Sequence, residues 1–310
     1  MHPARIMEIL TVAEKAAIAS AAWNGKGDKV AADQAATTAM REAFNEIDFS
    51  GRIVIGEELG RGGEEIDIAV DPLEGTNLCA ANKPNALTTI AIAPRGALLF
   101  APDTYMQKIA AGPACAGKVG IDKTPAENIA AVAEALGKPV EDVNVCILDR
   151  GRHRDLIAAV REAGARIRLI DDGDVFGAIA TAVPGTGIDL YMGSGGAPEG
   201  VLACTGLKAI GGVFEGRLRF DLDKDGEEKR ARAEKTADLD LDAVLTMDML
   251  VRSDDAAFIA CGVTDGEMVS GVSNADGSVT TECVVMNAAD KTVRFVKTCH
   301  RGENGAVRFN

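Results

Sequence analysis

Asp67–Thr76 reads DIAVDPLEGT. Its first half alternates apolar and small residues in the manner of a buried strand. The pattern breaks at Pro72 and Gly75, with two carboxylates, Asp71 and Glu74, and one hydroxyl, Thr76, at the break. Proline removes a backbone donor and glycine permits positive φ, so a tight turn here can aim both carboxylates and the hydroxyl at one point. Oxygen ligands of that kind suit a hard divalent ion such as Mg²⁺ or Mn²⁺. The same residues also fit an ordinary solvated turn at the end of a strand.

Upstream, GRIVIG at 51–56 is a second short β-rich run, and it stops at Glu57 and Glu58. Two neighbouring strands that both finish in carboxylates are harder to dismiss than one. Before them, apolar spacing predicts Ala-rich helices over 11–22 and 31–45, separated by a bend at Gly25 and Gly27. Asp33 then falls in the first turn of the second helix, where the helix dipole favours an acid whatever its use. Lys26 and Lys29 beside it fit plain surface charge.

Downstream, ALTTIAIA at 86–93 predicts a buried strand and 97–100 a shorter one, followed by Tyr105, more often a packed ring than a ligand contact. A Gly, Pro and Lys-containing stretch and a helix over 125–136 put a domain boundary near 138, giving an α+β unit over 1–138 and an α/β unit over 139–310. Strands at 143–148, 166–170 and 187–192 alternate with helices at 155–163, 175–183 and 197–210, the pattern of parallel βαβ pairing, in which ligands sit past the strand C-termini. Arg150-Gly151-Arg152 offers two guanidinium forks suited to phosphate, or two solvated charges. Asp172-Gly173-Asp174, after Asp171, suits sugar hydroxyls, a cation or a helix cap. GSGGAPEG at 193–200 reads as a glycine-rich loop opening a helix, where backbone N–H groups can approach an anion and Glu199 can reach a metal. The last third predicts β segments at 212–220, 257–261, 267–272, 278–286 and 292–299, with a charged helix over 227–235.

The 310 residues carry a net charge of -14, from 47 acids against 33 bases, which argues against general affinity for nucleic acid or anionic membrane. The 7 cysteines are odd in number and lack C-x-x-C spacing, so buried thiols in a cytoplasmic protein are expected. With 3 histidines, none at i, i+4 from another, a His-based metal site or a Ser-His-Asp hydrolase has little support. Asp33, Glu57, Asp71, Glu74 and Glu199 each lie at a helix start or strand end. Brought together without cations they would repel and raise one another's pKa values, so convergence implies bound divalent ions. With Arg150 and Arg152 added, the simplest reading is a phosphate ester held over a metal cluster.

GKGDKVAAD (25–33), IVIGE (53–57), DIAVDPLEGT, PNAL (84–87), the PDTYM and KIAAGP segments within 102–113, the DGD loop, GGAPEG (195–200) and RSDDAAF (252–258) together resemble the class II fructose-1,6-bisphosphatases of bacteria, within the lithium-sensitive metal-dependent phosphatase superfamily. The resemblance runs nearly end to end. It implies a mixed α/β fold, a layered α-β-α-β-α sandwich in two domains. The implied activity is removal of the 1-phosphate of fructose 1,6-bisphosphate in gluconeogenesis, with Mg²⁺ or Mn²⁺, in a cytoplasmic homodimer or homotetramer, with sedoheptulose 1,7-bisphosphate taken by some relatives. By motif position it implies that Asp33 and Glu57 hold one metal and Asp71, Glu74 and Glu199 the other. Glu74, Gly75 and Thr76 would meet the phosphate, and Thr76 would orient the attacking water. Tyr105, Arg150, Gly151, Arg152, Asp172, Gly173, Asp174 and Gly196 would bind the sugar bisphosphate, and Lys29 would neutralise charge near Asp33.

Two departures stand out. Only ELGRGGEEI separates Glu57 from Asp67, where the family has a longer segment, and Glu58 can substitute for an acid lost with it. Asp149-Arg150-Gly151 stands where the family more often has a Lys-Pro pair. The competing readings are an inositol or nucleotide phosphatase of the same superfamily and a binding relative whose catalysis has lapsed. Five retained carboxylates and Thr76 argue against the second.

Overall fold

The computed structural model describes residues 2–53, 58–60, 62–236, 239–275 and 277–302. The chain opens with α1 (Pro3–Ala21) and α2 (Lys29–Phe44), both of which start earlier than apolar spacing predicts. Caps account for that. His2 Nδ1 accepts from the Ala4 N–H ahead of α1, and the Asp28 carboxylate accepts from the Ala31 N–H at 2.9 Å ahead of α2. Asp33 therefore sits a turn inside α2, and the dipole argument for it falls away.

Four strands follow: β1 (Phe49–Ile53), β2 (Glu58–Gly60), β3 (Glu64–Glu74) and, after the short α3 (Thr76–Ala80), β4 (Leu87–Pro94). The chain then builds a second sheet from β5 (Tyr105–Ala111), α4 (Pro125–Leu136), β6 (Asn144–Leu148), α5 (Arg154–Glu162), β7 (Arg166–Ile170), α6 (Asp174–Ile179), β8 (Leu190–Gly196), α7 (Ala197–Ile210) and β9 (Val213–Arg219), ending with α8 (Gly226–Thr236), β10 (Leu245–Thr246) and α9 (Met247–Leu250). It returns to the first sheet through β11 (Ala257–Gly262), β12 (Ser273–Ala275), β13 (Ser278–Asn287) and β14 (Thr292–Arg301). Among the described residues the first sheet runs β12-β13-β11-β4-β3-β1-β2, with β14 also paired to β13, and the second runs β10-β9-β5-β8-β6-β7.

The layers are α-β-α-β-α. Helices α1 and α2 cover the outer face of the first sheet, burying Ile9 and Leu10 against Ile66, Ile68 and Ile90. Between the sheets lie α6 and α7, where Val201 and Leu207 meet Met106, Phe214 and Phe258. Outside the second sheet, Ile129 and Val132 of α4 and Val160 of α5 pack on Val145 and Ile147. The expected parallel pairing holds for β6 with β7 and for β6 with β8, whereas β5 runs antiparallel to both its neighbours.

Several expectations change. β5 is a strand that its mixed composition hid. Of residues 97–100 only Leu98 bridges, to Val251, and 267–272 holds no strand. Residue 138 falls inside the second sheet's run of chain, between β5 and β6, and the first sheet draws strands from both ends of the sequence. Six cysteines are buried as expected, but Cys299, on the outermost β14, is exposed.

Ile90 is fully buried in β4, which has a partner strand on each side. Truncation there leaves a cavity that two sheet neighbours prevent from collapsing. Ile90→Ala is expected to cost about 2–5 kcal/mol in denaturant melts.

Candidate active site

The strand β3 does not stop at Pro72. It runs on to Glu74, and its register against β4 shifts: Asp71 faces Thr89 while Glu74 faces Leu87, so three steps on β3 match two on β4. That is a β-bulge. In a regular strand, residues three apart point to opposite faces, and one inserted residue brings Asp71 and Glu74 to the same face. Pro72, which has no N–H to lose from the ladder, accepts at its carbonyl from Thr88 Oγ1 at 2.9 Å, and the Leu73 N–H is taken up by Asp71 Oδ1 at 3.0 Å. Gly75 follows at φ 82°, a conformation that only glycine adopts freely, and starts α3 with Thr76 as its first residue.

The glycines of 193–196 prove to be the end of β8 rather than a loop, and α7 begins immediately after them. Their small size makes room for acid. A Cβ on Gly195 would stand 1.9 Å from Asp174 Oδ2, and one on Gly196 would stand 3.1 Å from the Glu199 carboxyl carbon. Glu199 lies in the first turn of α7 and accepts from the Gly196 N–H at 2.8 Å.

Asp71, Glu74 and Glu199 each offer a carboxylate oxygen within 4.8 Å of the others. Asp174 adjoins them, 3% exposed, with Glu74 Oε1 accepting from the Val175 N–H at 2.9 Å. Burial pushes Asp71 up to about 7, and Glu199 and Asp33 push it the same way, so the charge on Asp33 reaches this cluster from α2. Glu74 is driven well above the usual range by burial and by Glu199, Asp71 and Asp174. Asp174 rises to about 7 through burial and Glu199. For Glu199 burial acts upward too, but Lys108 and the Gly196 N–H outweigh it and hold the group ionised.

These side chains fit a hard cation. The donors are all carboxylate oxygens, one ammonium faces four acids, and two buried oxygens, Asp174 Oδ1 and Thr89 Oγ1, have no hydrogen-bond partner among the described residues. Thr89 is the residue directly opposite Asp71. Glu57 lies outside the described residues.

A cavity of about 200 Å³ opens beside the acids, lined by Glu74, Tyr105, Leu148, Arg150, Arg152, Asp172, Gly173, Asp174, Gly195, Gly196 and Glu199. Eight of the eleven residues expected to meet a sugar bisphosphate therefore line one cavity. Gly151, which opens a 3₁₀ turn, Gly75, Thr76 and Lys29 are not among the lining residues. Lys29 donates to Asn77 Oδ1 at 3.3 Å, and Asn77 in turn donates to Asp172 Oδ2 at 3.0 Å. Arg150 pairs with the other oxygen of Asp172 at 3.2 Å. Arg152 differs from Arg150: its guanidinium lies over the Tyr105 ring at 4.7 Å and donates twice to the Ser194 carbonyl, at 3.0 and 2.6 Å, so no carboxylate answers its charge in these contacts.

Three residues of the site escaped the sequence. Lys108 is 1% exposed and pairs with Asp174 at 2.6 Å, and the Tyr191 hydroxyl donates to the same Asp174 oxygen at 3.4 Å. The signal for Lys108 was its place on the apolar side of YMQKIAA, alternating with Met106 and Ala110. His153 is buried behind Arg152. Its Nε2 accepts from the Ser194 N–H at 2.8 Å, so the proton is on Nδ1, which donates to the Leu148 carbonyl at 2.7 Å. Burial lowers the pKa of His153, and the neutral ring ties β8 to the arginine turn.

The model of the family described as bacterial fructose-1,6-bisphosphatase, glpX-encoded, matches residues 4–300. This chain belongs to that family. A relative from Synechococcus sp. (strain JA-2-3B'a(2-13)), named D-fructose 1,6-bisphosphatase class 2/sedoheptulose 1,7-bisphosphatase, is 43% identical over 328 residues, covering 95% of this chain and 94% of the relative. Relatives of the same name from Thermosynechococcus vestitus (strain NIES-2133 / IAM M-273 / BP-1) and Synechocystis sp. (strain ATCC 27184 / PCC 6803 / Kazusa) are 42% and 41% identical, covering 95% and 97% of this chain and 95% and 97% of the relatives. The aligned span of 328 positions exceeds the 310 residues of the chain, so the relative carries residues that this glpX-family member lacks. Among solved structures, an inositol monophosphatase from Anabaena (Nostoc) sp. PCC 7120 matches with a TM-score of 0.32 and 18% identity, covering 57% of this chain and 73% of that one.

The raised acids have a consequence for stability. Asp71, Glu74 and Asp174 keep protons in the folded family member that the unfolded chain releases near its ordinary carboxylate pKa, so the metal-free fold loses stability as pH rises through about 7. His153 acts in the opposite sense below its ordinary 6.5, which leaves the rise from about pH 6.5 through about 7 for the carboxylates. In thermal melts the metal-free protein is expected to lose Tm across that interval, and saturating Mg²⁺ is expected to abolish the slope.

Proposed function

We propose that this chain hydrolyses the 1-phosphate of fructose 1,6-bisphosphate in a cation-dependent reaction, with sedoheptulose 1,7-bisphosphate as a further substrate. The observation that carries the reading is the joining, in one cavity, of a carboxylate cluster to a guanidinium, that of Arg152, with no acid partner among the described residues, in a member of the glpX family. The names of the relatives support both sugars.

Asp71, Glu74 and Glu199 would hold one Mg²⁺ or Mn²⁺, and Asp33 with Glu57 a second. Bound there, the ions would acidify a water and neutralise phosphate charge. The chain itself positions the reactants. Glu74 and Thr76 flank the sharp turn at Gly75, where the reacting phosphate would lie and where the Thr76 hydroxyl would orient the attacking water. Arg152, with Tyr105 beneath it, would take the distal phosphate. Asp172, clamped by Arg150 and Asn77, and the free oxygen of Asp174 would accept from sugar hydroxyls. The remaining expectations, a cytoplasmic setting and a homodimer or homotetramer, belong to the same reading. Among the described residues no helix is long and apolar enough to cross a membrane.

Purified protein with Mg²⁺ or Mn²⁺ is expected to release phosphate from fructose 1,6-bisphosphate, and metal-loaded, folded protein that releases none would refute the proposal. A panel including inositol monophosphate and a nucleotide 3'-phosphate, with Li⁺ as competitor, distinguishes the sugar reading from its superfamily alternatives. Asp71→Asn is expected to lower kcat by at least about 10²-fold, an interaction lost at the reacting centre. It is also expected to raise the Tm of the metal-free protein, because one repelling charge goes. Arg152→Ala removes a charge-assisted contact worth about 1.5–3 kcal/mol, roughly a 10- to 150-fold rise in KM, and Arg150→Ala is expected to raise it less.

A further inference from the structure

Lys108 is the one strand residue on the buried side of β5 that carries a charge. Its side chain rises from the middle of the second sheet into the layer shared with α6 and α7, where its Nζ lies 2.6 Å from Asp174 Oδ2 and 3.5 Å from Glu199 Oε2. Ammonium and carboxylate are both out of solvent, at 1% and 2% side-chain exposure. Such a pair is no general source of stability, because the cost of removing two ions from water offsets most of their attraction. Breaking it by removing one partner is another matter.

The packing around the pair keeps it in place. Gly193 and Gly195 stand across the β5–β8 ladder on the same side as Lys108, and Gly200 leaves space beside its Cε, where an added Cβ would stand 3.5 Å away. Tyr191 closes the far side through its hydroxyl on Asp174. The pair also divides the Asp174 carboxylate into a held and an open oxygen. Asp174 Oδ2 receives Lys108 and Tyr191, while Oδ1 is buried, lacks a partner among the described residues and belongs to a residue lining the cavity. Glu199 Oε2 receives Lys108 and the Gly196 N–H, which fixes the carboxylate that faces Asp71 and Glu74.

We propose that Lys108 is a positioning residue of the cation site: it locks Asp174 and Glu199 in the orientation that presents Glu199 to a divalent ion and the open oxygen of Asp174 to whatever enters the cavity. The proposal rests on the metal-binding reading given above, though not on the choice of substrate. Lys108 is not among the residues that line the cavity beside the acids. It acts through the two acids, as the outer partners of metal ligands do.

The experiment is Mn²⁺ titration calorimetry, without substrate, on wild-type protein, Lys108→Met, Asp174→Asn and the double variant. Each single variant is expected to bind Mn²⁺ about 10- to 100-fold more weakly, the range for loss of an outer partner. The double variant is expected to be no weaker than the worse single one, because both substitutions break the same contact. Lys108→Met protein that folds, shown by an unchanged far-ultraviolet dichroism spectrum, and binds Mn²⁺ like wild type would overturn the proposal. So would losses that simply add. If Lys108→Met does not fold, Asp174→Asn with unaltered Mn²⁺ affinity overturns it equally. Wild-type protein that binds Mn²⁺ but cleaves no sugar bisphosphate would sink the substrate reading and leave this inference standing, and wild-type protein that binds no Mn²⁺ would sink this one.

Discussion

One inserted residue in β3 governs the geometry of the site. Without the bulge at Pro72, Asp71 and Glu74 would stand on opposite faces of the first sheet, one toward α7 and the other toward α1 and α2. With it, both carboxylates enter the layer between the sheets, where α7 delivers Glu199 and α6 delivers Asp174. The sheet tolerates the irregularity because proline has no N–H to leave unsatisfied and because Thr88 and Asp71 take up the displaced backbone groups.

Convergence of four acids, two of them buried and two half-buried, is unfavourable by itself, and the structure answers it in two ways. Lys108 neutralises one charge permanently. The remaining excess is left for ions from solution, which explains why Asp71, Glu74 and Asp174 all prefer to keep a proton when nothing else is bound. The arginines differ in the same way: Arg150 is committed to Asp172, whereas Arg152 rests on a ring and a carbonyl.

Much of this was legible in the residues. The alternation of DIAVD and the spacing of the βα units led to β3 and to the parallel pairing of β6 with β7 and β8, because hydrophobic period is a local property, whereas the order of the layers came from the resemblance. What stayed hidden is non-local. Proline at 72 reads as a stop, and only the partner strand β4 shows that it is an insertion. GSGG reads as a loop, yet it is strand because Asp174 and Glu199 occupy the volume where side chains would be. YMQKIAA reads as irregular because its one lysine meets an acid more than sixty residues away. Sheet membership is hidden for the same reason, since composition changes near 138 but backbone pairing does not.

The return of the C-terminal strands carries a consequence for how the molecule is made. β4 is complete early in synthesis, but the neighbour on its second edge, β11, begins only at Ala257. A nascent chain must hold that edge uncovered while some 160 further residues emerge, so the first sheet closes last and slowly, as pairing between distant segments does. Until then a strand of LTTIAIAP, apolar and without charge, is open to pairing with a neighbouring polypeptide, and crowding on the ribosome is the time of greatest risk.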